Sequence, residues 1–336
     1  GSFSFTLDID APAAPAISLG AGITGVAGLA SRSKALQASG VLLVNADSGS
    51  QVEVTLTDRL NHSVVRTVTG SSASAITLAA SDLGTGVGQL DEGGISVRAV
   101  AVDAAGNRST AGTSSFTLDS QVTAPAITLG TGVSGDVSQA EATLASGVVQ
   151  VTAESGSTVV LTFTDTQGDK VERTVTATAQ ANAVTLVTSE LGTGSGKLSN
   201  GRISVTALAT DAAGNASEAG SFSFTLDIDA PATPGISLGT GVVGDVSGSE
   251  ATQADGVLQV NAESGSTVNL TFTDVSGHSV TRSFTAGNAA SAITLAGTDL
   301  GSGNNQLSDG NITVSATATD GAGNRSTAGS FSFTLD

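Results

Sequence analysis

The chain repeats itself three times, and this repetition limits what it can fold into. The segment GSFSFTLDIDAPA occupies residues 1–13 and returns unchanged at residues 220–232. The motif D-A-A-G-N begins at Asp103 and Asp211, and D-G-A-G-N begins at Asp320, so the spacings are 108 and 109 residues. A period of this length is that of a whole small domain, and it predicts a row of like domains.

Within each repeat, apolar and polar residues alternate as they do in half-buried β-strands. Ile95, Val97 and Ala99 share one face of such a run, and the same pattern returns near residues 203 and 312. About seven alternating runs occur in each repeat, and no stretch carries a helical stripe with caps. Seven strands in about 109 residues predict an all-β fold: three tandem immunoglobulin-like β-sandwich domains in an elongated rod.

The repeats define the predicted domain boundaries. Residues 8–119 form the first Ig-like repeat, residues 120–227 the second and residues 228–336 the third. Residues 1–7 copy the closing strand of the later repeats, so we interpret them as the closing strand of a preceding repeat.

Charge and composition exclude several classes of function. Twelve Lys+Arg against 30 Asp+Glu give a net charge of −18, which disfavours nucleic acid and anionic membranes as partners. The absence of Cys excludes disulfides, thiol nucleophiles and cysteine-bound zinc. No P-loop, G-x-S-x-G or H-E-x-x-H motif occurs. The sequence also contains no run of 18 or more apolar residues, which is the length that a membrane-spanning helix needs. We therefore expect a protein that is not an enzyme, with no direct membrane insertion.

Acidic motifs recur where one repeat should meet the next. In an Ig-like sandwich the chain entry, the B–C turn and the F–G loop lie at one end. Here the D/E-S-G-S turn is the B–C turn and the D-x-A-G-N loop is the F–G loop. Together with the linker acids they should therefore meet at each junction. Calcium takes six to eight oxygen ligands, and these three features can supply them. The candidate calcium ligands are Asp8, Asp10, Asp47, Asp103, Asn107, Asp119, Glu154, Asp211, Asn215, Asp227, Asp229, Glu263, Asp320 and Asn324.

A second interpretation of these motifs needs no metal. Asp accepts backbone N–H bonds in turns, Gly-Asn supplies left-handed backbone angles, and linker Pro and Asp stiffen and solubilise the chain. The loop acids Asp82, Glu190 and Asp299 also allow two interpretations, since they could complete a coordination shell or form turns. Asp91, Asn200 and Asp309 follow them in turns before strand F, the alternating run that begins at Ile95 in the first repeat and near residues 203 and 312 in the others.

The middle linker differs from the other two. It reads Asp119-Ser-Gln-Val-Thr-Ala-Pro125, whereas the others read Asp-Ile-Asp-Ala-Pro. Matching the first proline of each linker makes the middle one two residues longer and puts Thr123 where Asp10 and Asp229 stand. On that alignment the middle junction has lost one carboxylate.

Taken together, the L-D-x-D-A-P linkers, [DE]-S-G-S turns and D-x-A-G-N loops at one spacing resemble the bacterial Ig-like (BIg) tandem repeats of giant RTX-type adhesins. The resemblance covers the whole chain. It implies an extender region between a membrane-retained end and a ligand-binding tip, calcium at the junctions, type I secretion, and a place at the bacterial cell surface, as in biofilms.

From these features we expect a calcium-rigidified extender, or spacer, that projects an adhesive tip away from the cell. Its partners would be calcium ions and the neighbouring repeats of the same chain, and we expect a monomer. The alternative is that the repeats themselves bind a surface ligand, whether carbohydrate, ice or protein. That alternative predicts an exposed patch that differs between repeats or is repeated flatly along one face.

Overall fold

The computed structural model describes residues 2–23 and 28–336. Its strands form three successive β-sandwiches, each around a core of its own, which confirms the predicted all-β fold class. The first core is assembled from Ile23 and residues between 30 and 118, the second from residues between 127 and 226, and the third from residues between 242 and 335.

The first repeat has eight strands among the described residues. They are β1 (Ala16–Leu19), β2 (Leu29–Ala30), β3 (Leu42–Asn45), β4 (Gln51–Thr57), β5 (Ser63–Thr69), β6 (Ser74–Ile76), β7 (Gly93–Val102) and β8 (Gly112–Leu118). A one-turn helix, α1 (Arg32–Ala35), follows β2, and a 3₁₀ turn covers Ala80–Asp82.

The other two repeats have seven strands each. The second comprises β9 (Ala126–Leu129), α2 (Gln139–Ala142), β10 (Val149–Thr152), β11 (Thr158–Thr164), β12 (Lys170–Thr176), β13 (Asn182–Val184), β14 (Gly201–Thr210) and β15 (Gly220–Leu226). The third comprises β16 (Gly235–Leu238), α3 (Gly248–Ala251), β17 (Leu258–Asn261), β18 (Thr267–Thr273), β19 (Ser279–Thr285), β20 (Ser291–Ile293), β21 (Gly310–Thr319) and β22 (Gly329–Leu335). Their 3₁₀ turns cover Thr188–Glu190 and Gly297–Asp299.

Each sandwich pairs a three-stranded sheet with a larger one. In the second repeat the sheets have the strand orders β13-β10-β9 and β12-β11-β14-β15, and all neighbours are antiparallel. In the first repeat the larger sheet also carries β2, which pairs in parallel with β8. This is the layout of an Ig-like sandwich, and it places the B–C turn and the F–G loop at the same end.

The cores follow the predicted alternation of apolar residues. On β11, Val159, Leu161 and Phe163 are fully buried, and β14 brings Ala207 and Val205 directly opposite Leu161 and Phe163. Full burial of a Val, Leu or Phe side chain stabilises a fold by about 1.5–3 kcal/mol. The apolar faces of the central strands therefore supply much of the stability of each repeat.

The closing strand of each repeat, strand G, is β8, β15 or β22, and it begins with a glycine that lies against the chain entry. This contact corrects the linker alignment. A Cβ atom at Gly220 would lie 2.0 Å from the carbonyl oxygen of Pro125. Gly112 makes the same close approach to Pro15, and Gly329 to Pro234. Pro125 is thus equivalent to the second proline of the other linkers, not the first.

The predicted two-residue insertion in the middle linker, with Thr123 at the lost acid, is therefore wrong. Counted from Asp119, the middle linker is one residue shorter than the others, because it reaches its proline six positions later and they reach theirs seven positions later. The residue two positions after Asp119, where the other linkers have Asp10 and Asp229, is Gln121.

The sequence shows no helical stripe, and the structure adds three one-turn helices, α1 to α3, that are too short to form one. Each has four residues and begins after a serine whose hydroxyl accepts a hydrogen bond from the third helical N–H. In α2 and α3, Glu141 and Glu250 return the contact to the serine N–H, so both helices have a capping box. These glutamates therefore have structural partners. None of the described helices is long and apolar enough to cross a membrane.

Residues 2–7, which were predicted to close a preceding repeat, have no strand partner here. Phe3 is fully exposed and Phe5 is 86 % exposed, whereas Phe224 and Phe333, the equivalents of Phe5, are buried. Gly1 lies outside the described residues. The assignment of this segment to a preceding repeat stays a prediction.

Candidate functional site

The F–G loop of each repeat is a compact turn built by one aspartate. Asp211 Oδ1 accepts hydrogen bonds from Gly214 N at 2.7 Å and from Asn215 N at 2.8 Å, while its Oδ2 accepts from Asn215 Nδ2 at 2.7 Å. Gly214 has φ of +93°, a left-handed angle that glycine adopts freely. The turn thereby holds the asparagine amide at the end of the sandwich.

The asparagine amide then reaches the linker that enters the same repeat. Asn215 Nδ2 donates to the carbonyl oxygen of Asp119 at 2.9 Å, and Asn324 Nδ2 donates to that of Asp227 at 2.8 Å. At the entry to the first repeat, Asn107 Nδ2 lies 3.2 Å from the carbonyl oxygen of Asp8. The structure therefore brings the F–G loop and the linker together in all three repeats.

The B–C turn joins this site at the entry to the first repeat. Asp8, Asp10, Asp47 and Asp103 line a cavity of about 530 Å³ together with the backbone of the turn. Asp47 Oδ2 also accepts a hydrogen bond from Ala13 N at 2.9 Å. Four predicted ligands thus face one space.

At the junction of the first and second repeats, acids crowd around one linker carboxylate. Burial raises the pKa of Asp119, and the negative charges of Asp211, Glu92 and Glu154 raise it further, to about 6. The charges that act on Asp119 in this way are all negative. The junction would therefore be stabilised by a cation.

Glu92 is a residue of this site that sequence analysis missed. Its Oε1 accepts hydrogen bonds from Ser120 N at 3.0 Å and from Ser120 Oγ at 3.2 Å, which ties the exit of the first repeat to the linker. Asn200 does the same in the second repeat, where its Oδ1 accepts from Ile228 N at 2.9 Å. Glu92, not Asp91, is thus the residue of the first repeat that is equivalent to Asn200. The prediction that grouped Asp91 with Asn200 and Asp309 was wrong by one residue in the first repeat.

The remaining predicted ligands occupy the turns and linkers assigned to them. Asp229 follows Asp227, whose Oδ1 accepts from Asp229 N at 3.2 Å. Glu263 holds its D/E-S-G-S turn through its carbonyl oxygen, which accepts from Ser266 Oγ at 2.7 Å. Asp320 builds the third F–G turn, accepting from Asn324 N at 2.8 Å.

The 3₁₀-turn acids belong to a different part of each sandwich. Asp82, Glu190 and Asp299 each form an ion pair with an arginine of the strand that follows the central one, strand C′ (β5, β12 or β19). The arginines are Arg66, Arg173 and Arg282. Each carboxylate also accepts a backbone N–H three residues earlier. These contacts account for the three acids as structural groups.

The donor atoms at the junctions match the chemistry of calcium. Carboxylate and carbonyl oxygens are the ligands it takes, and three acids lie close enough to Asp119 to raise its pKa beyond the effect of burial. In the described part of the chain, however, no three His, Cys, Asp or Glu side chains are grouped so that they could hold a metal ion. The asparagine amides already have hydrogen-bond partners, so their assignment as ligands stays a prediction.

Comparison with known proteins gives structural neighbours only. No protein-family model and no curated protein matches the chain. Solved structures similar to it include a tetra-tandem repeat from the extending region of a large adhesion protein, at 25% identity and a TM-score of 0.31, covering 98% of this chain and 76% of that one. The BSP domain of a biofilm-associated protein matches at 12% identity and a TM-score of 0.24, with coverages of 98% and 67%.

A third neighbour is the FN1–FN3 segment of chicken CNTN1, at 10% identity and a TM-score of 0.30, covering 96% of this chain and 99% of that one. The predicted resemblance to adhesin repeats is thus confirmed to this extent, that adhesin and biofilm repeats are among the neighbours. Because all three TM-scores are low, the function proposed next rests on the chain's own residues.

Proposed function

We propose that the chain is a calcium-rigidified extender of a bacterial cell-surface adhesin, which projects a ligand-binding tip away from the cell. Three like sandwiches in series supply length, and the role requires no chemical step. The junctions between the repeats carry the proposal.

The observation that supports calcium most directly is the surroundings of Asp119. Burial raises the pKa of this linker carboxylate, and the charges of Asp211 and Glu154 from the second repeat and Glu92 from the first raise it further, to about 6. Mutual repulsion among these groups favours separation of the repeats. A divalent cation bound among them would replace that repulsion with attraction to both sides of the junction.

The same residue types recur at the other junctions. Candidate holders of the ion are Asp119, Glu92, Asp211 and Glu154 at the first junction, Asp227, Asp229, Glu263 and Asp320 at the second, and Asp8, Asp10, Asp47 and Asp103 at the entry to the first repeat. The ion would supply positive charge shared by two neighbouring repeats. At a free concentration of 100 times its dissociation constant, an ion adds about 2.7 kcal/mol of stability per site.

This arrangement suits an exported protein. Extracellular calcium modules bind with dissociation constants of about 10⁻⁴ to 10⁻³ M, so such sites would be empty inside the cell and filled outside. Empty junctions leave only the direct contacts between repeats during export, and filled junctions stiffen the array further at the cell surface. We therefore include an extracellular location and secretion by a type I, RTX-type route in the proposal.

Small-angle X-ray scattering of the whole chain tests the proposal. The maximum dimension should be greater, and the scattering more rod-like, in calcium than in EDTA. The double variant Asp119→Asn/Asp227→Asn should lose most of this response. The matched control Asp136→Asn/Asp245→Asn removes the same charge from exposed loop positions and should keep it. Identical scattering of the unmodified chain in calcium and EDTA would overturn calcium rigidification.

A further inference from the structure

The one-turn helix of each repeat presents an N–H group to the repeat that follows. In α1 the Ser31 hydroxyl accepts from the third helical N–H, that of Lys34, at 3.4 Å. Ser138 caps α2 in the same way. This cap does not serve the first helical N–H, which belongs to Arg32 in α1 and to Gln139 in α2, and which has no partner within its own helix.

The next repeat supplies the missing acceptor. Arg32 N donates to Asn215 Oδ1 at 2.9 Å, although the two residues are 183 positions apart. Gln139 N donates to Asn324 Oδ1 at 3.3 Å across the second junction. Because both donors are backbone groups, the contact does not depend on the side chain at the start of the helix.

The same two amides also hold the linker. Asn215 Nδ2 donates to the carbonyl oxygen of Asp119 and lies 3.2 Å from its Oδ1, and Asn324 Nδ2 donates to the carbonyl oxygen of Asp227. One side chain therefore joins its own turn, the linker and the preceding repeat. An amide can do this because it carries a donor and an acceptor together, and neither contact requires a metal ion.

The first repeat provides an internal comparison, because the described residues ahead of it, 2–7, form no strand. Asn107 sits in the same turn, with its amide 2.9 Å from Asp103 Oδ2 and 3.2 Å from the carbonyl oxygen of Asp8. Its Oδ1 accepts no hydrogen bond from the described residues, and the side chain is only half-buried, whereas Asn215 and Asn324 are each 8 % exposed. The additional contact appears where a preceding repeat is in place.

We propose that Asn215 and Asn324 are amide latches, which orient each repeat against the one before it without calcium. Asp211 and Asp320 are their positioning residues, since each carboxylate grips both the backbone N–H and the side-chain amide of its asparagine. The inference rests on the proposed rod for its purpose. It adds a short-range, uncharged contact that sets the angle between repeats even when the junction is free of metal.

Distance measurement across the first junction in EDTA tests the latch. The chain has no cysteine, so Val65→Cys and Leu208→Cys, at exposed strand positions of the first and second repeats, give two unique sites for spin labels. In the background chain the distance distribution should be narrow. Asn215→Ala should at least double its width, whereas the matched control Asn324→Ala, at the other junction, should leave it unchanged.

A second variant and a second readout keep the test decisive if Asn215→Ala folds poorly. Asn215→Asp keeps an acceptor for Arg32 N but loses the donors to the linker, so it should also broaden the distribution in EDTA. The Arg32 amide should be protected from hydrogen exchange in the unmodified chain. Its protection factor should be at least tenfold lower in Asn215→Ala. A background distribution as broad as that of the variant, or an unprotected Arg32 amide, would overturn the latch.

These outcomes separate the latch from the proposed function. The latch is judged in EDTA alone. Calcium rigidification is judged by adding calcium to Asn215→Ala, which should narrow its distribution again. Failure of that narrowing, with the EDTA result as expected, would count against calcium and leave the latch intact.

Discussion

Asp165 and Ser199 are 34 residues apart in the chain and are joined by two hydrogen bonds to one carboxylate oxygen. Ser199 donates to Asp165 Oδ2 from its backbone N at 3.0 Å and from its hydroxyl at 2.6 Å. Asp165 Oδ1 meanwhile accepts from the N–H groups of Gln167 and Asp169. This buried carboxylate therefore ties the C–C′ hairpin, formed by β11 and β12, to the turn before β14.

Asp165→Ala should destabilise the second repeat by roughly 2–3 kcal/mol, because it leaves several donors without an acceptor. Hydrogen exchange of β11 and β14 peptides, followed by mass spectrometry, would report the change for this repeat alone. Asp136→Ala is the control, since Asp136 is exposed in the same repeat. Equal protection in the two variants would mean that the carboxylate contributes little.

The same carboxylate predicts loss of stability in acid. Burial alone would raise the pKa of Asp165, but hydrogen bonds from Ser199 and from backbone N–H groups outweigh it and lower the pKa below the ordinary value of 3.8. Such a group stabilises the fold fully above pH 3.8, and this contribution is lost as the pH falls through the lowered pKa. The equivalent Asp58 and Asp274 are shifted in the same direction, so every repeat should weaken below about pH 4.

Repeat-resolved hydrogen exchange in EDTA, from about pH 6 downwards, would measure this dependence. Asp165→Asn should flatten the response of the second repeat below about pH 4 and leave the first and third unchanged. An equally steep response of all three repeats in the variant would show that other groups cause the acid sensitivity.

The strands could be predicted from the sequence because a two-residue period places one face in the core. Val159, Leu161 and Phe163 follow this rule. The one-turn helices could not be found in the same way, because four residues are too few to display a helical stripe. The capping boxes Ser138–Glu141 and Ser247–Glu250 were local signals for α2 and α3, whereas α1 has no such box.

The site was predictable only in part, since repetition identifies shared residues and hides unique ones. The meeting of linker, B–C turn and F–G loop followed from Ig-like topology. Glu92 was missed because its counterparts are Asn200 and Asp309, so that the position does not repeat as a constant residue type. The linker was misaligned because Pro125 was matched to Pro12, and only the contact of strand G with Pro15 and its equivalents resolves the choice.

Glu92→Gln should lower the calcium affinity of the first junction by roughly three- to tenfold, because about 1 kcal/mol of attraction to the ion is lost. Isothermal titration calorimetry of the whole chain would measure the weakened site. Asp91→Asn is a close control, because the Asp91 carboxylate accepts a hydrogen bond from Glu92 N and does not appear among the charges that raise the pKa of Asp119. Equal affinities for the two variants would exclude Glu92 from the site.

Glu190→Gln should behave in the opposite way, with a change in stability and none in calcium affinity. Glu190 pairs with Arg173 and accepts from Val187 N at 2.9 Å, so its loss should cost up to about 1 kcal/mol in the second repeat. Hydrogen exchange would report the stability and calorimetry the affinity. A weaker calcium site in this variant would instead mean that the 3₁₀-turn acids complete the junctions.

Gln121→Asp restores the acid that the middle linker lacks, and its effect should change sign with calcium. In EDTA an additional carboxylate close to Asp119 increases the repulsion and should loosen the first junction, while in calcium it should tighten ion binding by about 1 kcal/mol. The exposed Thr123 is the matched control, since Thr123→Asp adds the same charge at the position that the proline-based alignment favoured. Spin-label distances in EDTA and calorimetry in calcium would measure the two effects. A larger gain in affinity from Thr123→Asp than from Gln121→Asp would overturn the corrected alignment, because the acid would then be required two residues later.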